Sequence, residues 1–306
     1  MDVSPQVTKG SPRFRIERSP VGYRVVGDGF LDWEPTLGEA ASWREAMESP
    51  GWRRNRLPPI PGGGRGVPPG EAIVYGPVRS RRLGRSLGVR LTPPGAHVCS
   101  FDCVYCELRG GTRRNGWPSV DAIEAALADR LPQLGRIDAI TISGDGEPTL
   151  HPDFPAVAEA VLQAAAAHRP GVPVGILTNG SRAVRPEVRR ALDRLDECIV
   201  MVDAAAERID RPAGDCPLGA IVYGISLLRR VTVQACFVDG WVSNVDRAAV
   251  RQWVELVREL RPRKVQITTI DRPAWKCDAR PVPREQLEEI ACLLRDRTGV
   301  EASVFA

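Results

Sequence analysis

Cys99-Ser-Phe-Asp-Cys103-Val-Tyr-Cys106 gathers three thiols into one C-x3-C-x2-C loop, and thiolates are the preferred ligands of soft iron and zinc centres. Three ligands leave a four-coordinate centre one short. A structural zinc site wants a fourth Cys or His nearby, usually in a second pair. No such pair follows, and His97 lies so close to Cys99 in sequence that reaching the same ion would strain the loop. A cubane iron-sulfur cluster with three protein-bound irons and one open iron suits the spacing better. An open iron implies chemistry rather than scaffolding.

Outward from this loop, short β-rich runs alternate with longer helical ones, the pattern of repeated βα units and a parallel sheet. Ser86-Leu-Gly-Val-Arg-Leu91 reads as the strand that feeds the loop. Ser119 caps a helix to about Leu131, and Ile137 to Ser143 forms a second strand. A helix over Phe154 to His168 leads to a third strand, Val172 to Leu177. Cys198 to Val202, Thr232 to Phe237 and Lys264 to Thr269 supply strands four to six, with helices around 185–194, 217–229, 246–260 and 284–296. This α/β pattern predicts a partial (β/α)6 barrel over residues 69–306, with ligands at the carboxyl ends of the strands.

Residues 1–68 read differently, as a small N-terminal α+β module and a linker. Alternation on both sides of Ser19-Pro-Val-Gly22 predicts a hairpin over 13–33, and Thr36-Leu-Gly-Glu39 has the form of a capping box that opens a helix. Leu57 to Gly70 is rich in Pro and Gly and sustains neither helix nor strand. Trp33, Trp43 and Trp52 read as the core of this module.

With Tyr105 before the last cysteine, the loop has the form C-x3-C-x-aromatic-C, which resembles the signature of the radical S-adenosylmethionine (radical SAM) enzymes. The resemblance implies a [4Fe-4S] cluster on Cys99, Cys103 and Cys106, whose open iron is chelated by the amino and carboxylate groups of S-adenosylmethionine. One electron from the cluster breaks the sulfonium bond in that family, and a 5′-deoxyadenosyl radical abstracts hydrogen from the substrate. Gly144-Asp-Gly-Glu-Pro-Thr-Leu150 is similar to the family's G-G-E-P element, which implies that Gly144, Gly146 and Glu147 receive the methionine ammonium. Glycine lets the backbone approach a ligand closely, and Glu offers an acceptor. Leu177-Thr-Asn-Gly180 resembles the family's T-N-G, so Thr178 and Asn179 are implied at the ribose or methionine portion; Asn-Gly is equally a common turn pair.

Three further stretches belong to the same resemblance. Val202-Asp203-Ala stands in the place of an S-L-D-like element, with Met201 in the Ser position, and places Asp203 near the methionine carboxylate. Gln266 to Pro273 is implied to pass the adenine, with Thr268 as the contact. The string Tyr75 to Gly88, together with these motifs, looks like the compact group related to the wyosine-base (4-demethylwyosine) synthases, which act on a tRNA guanine. That likeness spans about residues 73 to 290 and leaves out the N-terminal module. Arg79, Arg81, Arg82 and Arg85 precede the first barrel strand, so barrel geometry puts them nearer the bottom than the mouth and outside the site, with phosphate binding as the alternative.

Composition narrows the setting. With 43% hydrophobic and 26% charged residues, the chain has ordinary globular composition. The N-terminus has no apolar leader, and the most apolar run, around Val161 to Ala167, is short and amphipathic, so a soluble, cytoplasmic protein without a membrane partner is expected. The five cysteines outside the motif (Cys198, Cys216, Cys236, Cys277, Cys292) show no paired spacing, which argues against a secreted disulfide framework. They read as buried small hydrophobes, with a second cluster on Cys216, Cys236 and Cys277 as the alternative. With fewer than about 40 residues after the sixth strand, no Cys-rich auxiliary domain is expected.

The net charge of +4 is uneven: residues 1–90 hold 15 Lys/Arg against 9 Asp/Glu, and the remaining residues hold 27 against 29. A basic front end suits a nucleic acid or phosphate, or is simply a solvated surface. The expected function is therefore radical SAM chemistry on a small-molecule substrate, with tRNA base modification of the wyosine type as the alternative. An iron-sulfur electron carrier or redox sensor is the reading from another class. The expected partner is a one-electron reductase of the flavodoxin or ferredoxin type. No protein acid, base or hydrogen donor stands out as catalytic.

Overall fold

The computed structural model describes residues 73–92, 98–106, 116–203, 218–240, 242–271 and 279–306, together with the strand backbones of 14–19 and 22–27. The chain divides into two compact units, one over Arg13–Gly66 and one that includes Val67–Ala306. In the smaller unit β1 (Phe14–Ser19) pairs antiparallel with β2 (Gly22–Gly27), with Phe14 opposite Gly27. The hairpin expected around Ser19 to Gly22 is thus present. The expected helix after Thr36, the Pro/Gly linker and the three Trp lie outside the described residues.

The larger unit is built on six parallel strands: β4 (Gly84–Val89), β5 (Ala139–Ile142), β6 (Val174–Thr178), β7 (Glu197–Met201), β8 (Thr232–Gly240) and β9 (Lys264–Thr269). Their order in the sheet is their order in the chain. Right-handed crossovers that always step the same way put every connecting helix on one face and curl the sheet into a half-barrel. The helices are α1 (Val120–Arg130), α2 (Phe154–His168), α3 (Pro186–Leu192), α4 (Leu218–Ser226), α5 (Arg247–Leu260) and α6 (Arg284–Thr298). Successive helices pack on one another, α1 on α2, α2 on α3, α4 on α5 and α5 on α6. Among the described residues no helix is long and apolar enough to cross a membrane.

Local chemistry sets these boundaries. The Ser119 hydroxyl accepts from the Ala122 N–H at 3.2 Å and opens α1, and Asp246 accepts from the N–H groups of Ala248 and Ala249 to open α5. Gly299, at φ +69°, closes α6. Val250, Trp253, Val254, Val257 and Leu260 recur at helical spacing and are buried.

Three strands extend the sheet beyond the six expected. β3 (Val74–Ser80) pairs antiparallel with β4, β10 (Ala279–Pro281) antiparallel with the end of β8, and β11 (Ala302–Phe305) parallel with β9. A register shift between Tyr75 and Val78 breaks the alternation of β3, and the other two are too short for a periodic signal.

The two sheet faces differ in chemistry. Phe237 meets Trp253 of α5 edge-on at 5.0 Å, so the face shared by Val233, Ala235 and Phe237 lies under the helices. Register carries that face to Val265, Ile267, Val200, Ile176, Ile142 and Val89, all buried and apolar apart from the strand ends. Burying each such side chain contributes about 1.5–3 kcal/mol. The opposite, concave face carries Tyr75, Ser86, Thr141, Ser143, Gln234, Gln266 and Thr268 together with the apolar Leu177, Ile199 and Met201. A sheltered sheet face with this many polar side chains is built to hold something other than a hydrophobic core.

Candidate functional site

The cysteine loop is stitched to the turn after β5. Val98 forms a parallel bridge with Gly146: its N–H donates to the Asp145 carbonyl at 3.2 Å, and its carbonyl accepts from the Glu147 N–H at 2.9 Å. Any side chain at Gly146 would put a Cβ 2.0 Å from the Val98 oxygen, so only glycine permits this approach. Within the loop the Phe101 N–H donates to Cys99 Sγ at 3.4 Å, and the Cys106 N–H donates to the Cys103 carbonyl at 3.1 Å. His97 lies outside the described residues.

Cys99, Cys103 and Cys106 are half-buried, and none is in a disulfide. Burial, with the nearby Glu147 charge adding to it, pushes the Cys99 thiol up to about 12. A thiol placed so becomes a thiolate when a cation takes up the charge, which is the state of an iron ligand. Among the described residues no three His, Cys, Asp or Glu side chains converge on a point that would hold a single ion. A cubane takes one thiolate per iron, so its cysteines need not converge. The donor set, one thiolate for each of three irons, therefore fits a cluster.

Glu147 ties the turn after β5 to the end of β6. It is 2% exposed. Oε1 accepts from the Thr149 N–H (3.0 Å), the Thr149 hydroxyl (2.5 Å) and the Thr178 hydroxyl (2.6 Å), and Oε2 accepts from the Asn179 N–H (2.7 Å). Burial raises its pKa, and these four bonds oppose the rise. The carboxylate expected to face a ligand ammonium thus has both oxygens engaged by protein donors. Asn179 carries the linkage on: its Nδ2 donates to Ser100 Oγ at 3.0 Å and to Cys99 Sγ at 3.6 Å, while its Oδ1 accepts from the Ser181 N–H. The Ser100 and Ser181 hydroxyls bond each other at 2.6 Å.

A second clasp reaches the other side of the half-barrel. The Tyr105 hydroxyl donates to Oδ2 of Asp203, which is fully buried. Asp203 Oδ1 accepts from the Cys236 N–H at 2.5 Å, and Asn244 Nδ2 donates to the Asp203 carbonyl at 2.8 Å and to the Cys236 carbonyl at 3.0 Å. Thr268 stands beside Cys236 in register, its hydroxyl donating to the Ala235 carbonyl at 3.2 Å. Asn244 has no signal in the sequence, because its bonds are set by the turn after β8 rather than by a motif.

Gly144 is held by a group that sequence reasoning also missed. Arg90 pairs with Asp145 at 2.9 Å, its guanidinium lies 5.0 Å over the Tyr75 ring, and Tyr75 Oη bonds Ser143 Oγ at 2.7 Å. A Cβ on Gly144 would come within 3.0 Å of the Arg90 side chain. A Cβ on Gly88 would enter the Tyr75 ring at 2.1 Å, so Gly88 makes room for that ring.

The expectation that Arg81 and Arg82 lie nearer the bottom than the mouth needs correction. Arg81 forms an ion pair with Asp271, just past the carboxyl end of β9. Curvature of the sheet brings the β3–β4 turn across the open side to that end. Of the cysteines considered for a second cluster, Cys236 is buried, and Cys216 and Cys277 lie outside the described residues.

The half-barrel, the cysteine loop and the turns at its strand ends define a class: residues 94–242 match the Radical SAM superfamily. Members of that superfamily use a [4Fe-4S] cluster and S-adenosylmethionine. More particularly, the chain belongs to the UPF0026 family. It is 32% identical over 227 residues to UPF0026 protein slr1464 of Synechocystis sp., covering 69% of this chain and 78% of that one. It is also 30% identical over 244 residues to a Brachyspira hyodysenteriae protein called GTPase Obg, covering 76% of this chain and only 35% of that longer protein. The Synechocystis relative carries the UPF0026 designation rather than that of the wyosine-base synthases. Among solved structures, Streptococcus suis SuiB bound to S-adenosylmethionine superposes with a TM-score of 0.52 at 13% identity, over 69% of this chain and 49% of SuiB. At that identity the match speaks for the fold, and the chain spans about half the length of SuiB.

Proposed function

We propose that the chain binds a [4Fe-4S] cluster through Cys99, Cys103 and Cys106 and S-adenosylmethionine beside it, and uses them to abstract hydrogen from a small organic molecule on the concave face. The observation that carries this reading is the chain of bonds from Glu147 through Asn179 to Cys99. It makes the cysteine loop and the turns after β5 and β6 one site. When bound, the two cofactors supply a 5′-deoxyadenosyl radical, and the protein holds, orients and shelters them.

Asn179 steadies the Cys99 sulfur by its amide, an outer-sphere contact of the kind that tunes a metal ligand. Gly144 and Gly146 leave main-chain groups open to the methionine end, while Glu147 and Thr178 fix that turn. Tyr105 and Asp203 hold the loop to the far strands, and Thr268 lies on the side proposed for the adenine. The reading takes the electron from a flavodoxin- or ferredoxin-type partner, places the protein in the cytoplasm, where thiols stay reduced, and treats residues 1–68 as a module distinct from 69–306. A redox sensor would use the same cysteines but leave the sheltered polar face without a purpose.

Anaerobic reconstitution followed by reduction with S-adenosylmethionine present is expected to yield 5′-deoxyadenosine and methionine, and Cys103→Ala is expected to abolish both. A reduced, fully loaded cluster whose spectrum ignores S-adenosylmethionine, with no deoxyadenosine released, would sink the proposal.

A further inference from the structure

Gln234 of β8 and Gln266 of β9 are direct partners in register on the concave face. They are 6% and 4% exposed, and the Oε1 of each is buried without a hydrogen-bond partner. Adjacent strands lie ~4.8 Å apart, so the two side chains leave neighbouring positions on the same face. Buried side-chain carbonyls are ordinarily paired, and two neighbours left open together are unlike packing.

From the opposite edge of the sheet the β3–β4 turn brings a cation to the same region. Arg81 is committed to Asp271, and the next residue, Arg82, has a buried Nη1 with no partner. Burial, and after it the neighbouring Arg81 charge, lower the Arg82 pKa, while Cys236 and Asp271 lie close enough to oppose the fall. Cys236 is the next residue after Gln234 on the same face of β8. A half-buried guanidinium whose buried Nη1 is open, near the strand that carries Gln234, is costly scaffolding and a ready recognition surface.

We propose that Arg82, Gln234 and Gln266 form the substrate-recognition subsite, taking a small molecule that carries an anionic group for Arg82 and N–H donors for the two glutamine carbonyls. This rests on the radical SAM reading, which makes the concave face a substrate chamber. The guanidinium supplies charge and a planar fork for a carboxylate or phosphate. The amide pair selects among anions by asking for N–H groups, because an analogue without them leaves the carbonyls unpaired.

The test is thermal unfolding of the full-length, cluster-loaded protein, titrated at constant ionic strength with three probes. These are inorganic phosphate, succinamate, and levulinate, which has a methyl group where succinamate has its amide NH2. A saturable rise in Tm with succinamate or phosphate is expected, lost in Arg82→Gln; the tighter of the two identifies the anionic group. Succinamate is expected to bind about five- to tenfold more tightly than levulinate, and Gln266→Leu to remove that difference. No saturable rise with either anion, or the same rise in Arg82→Gln, overturns the subsite. No preference for succinamate over levulinate overturns the role of the glutamines. Arg82→Met serves as the control for a purely structural arginine: it keeps the apolar stem, and a fall in the ligand-free Tm would mean that Arg82 supports the fold instead. Anion binding is read without turnover, so its failure and a failure to form deoxyadenosine are separate results.

Discussion

Removing the Glu147 carboxylate should damage the fold before it damages chemistry. In Glu147→Ala two backbone donors, the N–H groups of Thr149 and Asn179, lose their acceptor at a buried site, while the hydroxyls of Thr149 and Thr178 can rotate away. An orphaned buried donor costs about 1–3 kcal/mol, so the pair amounts to roughly 2–6 kcal/mol, a large share of the stability of an ordinary domain. Glu147→Gln keeps the shape and one carbonyl oxygen, and should lose less than Ala. Urea unfolding of the full chain measures the loss, and iron bound per chain after reconstitution measures whether Asn179 still steadies Cys99. A stability loss in Glu147→Ala below about 0.5 kcal/mol, with iron content unchanged, would refute the linkage. The pH dependence has a definite sign. Because the folded pKa of Glu147 lies above the usual 4.5, the folded chain holds this proton more tightly than the unfolded one. The stability from this group is fully present below 4.5 and declines as pH rises through the raised value. Relative to Glu147→Gln, which has no proton there, wild type should lose Tm across that window; a rise instead would mean that the four donors outweigh burial.

Gly146→Ala forces a Cβ against the Val98 carbonyl, so the cysteine loop should fail to dock, and iron incorporation should fall several-fold while the helical circular dichroism persists. Wild-type iron content in that variant would show that the bridge is dispensable. Tyr105→Phe leaves the buried Asp203 with one donor fewer, and a destabilisation of about 1–3 kcal/mol is expected by denaturant unfolding. An unchanged midpoint would take the clasp out of the fold's support. Bulk tRNA titrated at two salt concentrations is expected not to bind; tight binding that weakens steeply with salt would favour a nucleic-acid substrate over a small molecule.

What the sequence carried was local. The spacing of Cys99, Cys103 and Cys106 announces iron chemistry because the three lie within one loop. The cap Ser119 and the six βα repeats follow from side chains that act on their own neighbourhood, and α2 and β9 begin and end where periodicity places them. The turns after β5 and β6 could be named as site elements for the same reason. What they do to each other could not be read, since Glu147 meets Asn179 across 32 residues and Tyr105 meets Asp203 across 98. Those meetings depend on the register of parallel strands, which no local pattern encodes. Arg81 and Arg82 make the point most sharply. Counting along the chain puts them before the first barrel strand and therefore nearer the bottom, yet the curl of the sheet brings Arg81 to Asp271, 190 residues away. Strand tilt and closure belong to the sheet as a whole, and only the tertiary structure decides which side chains they bring face to face.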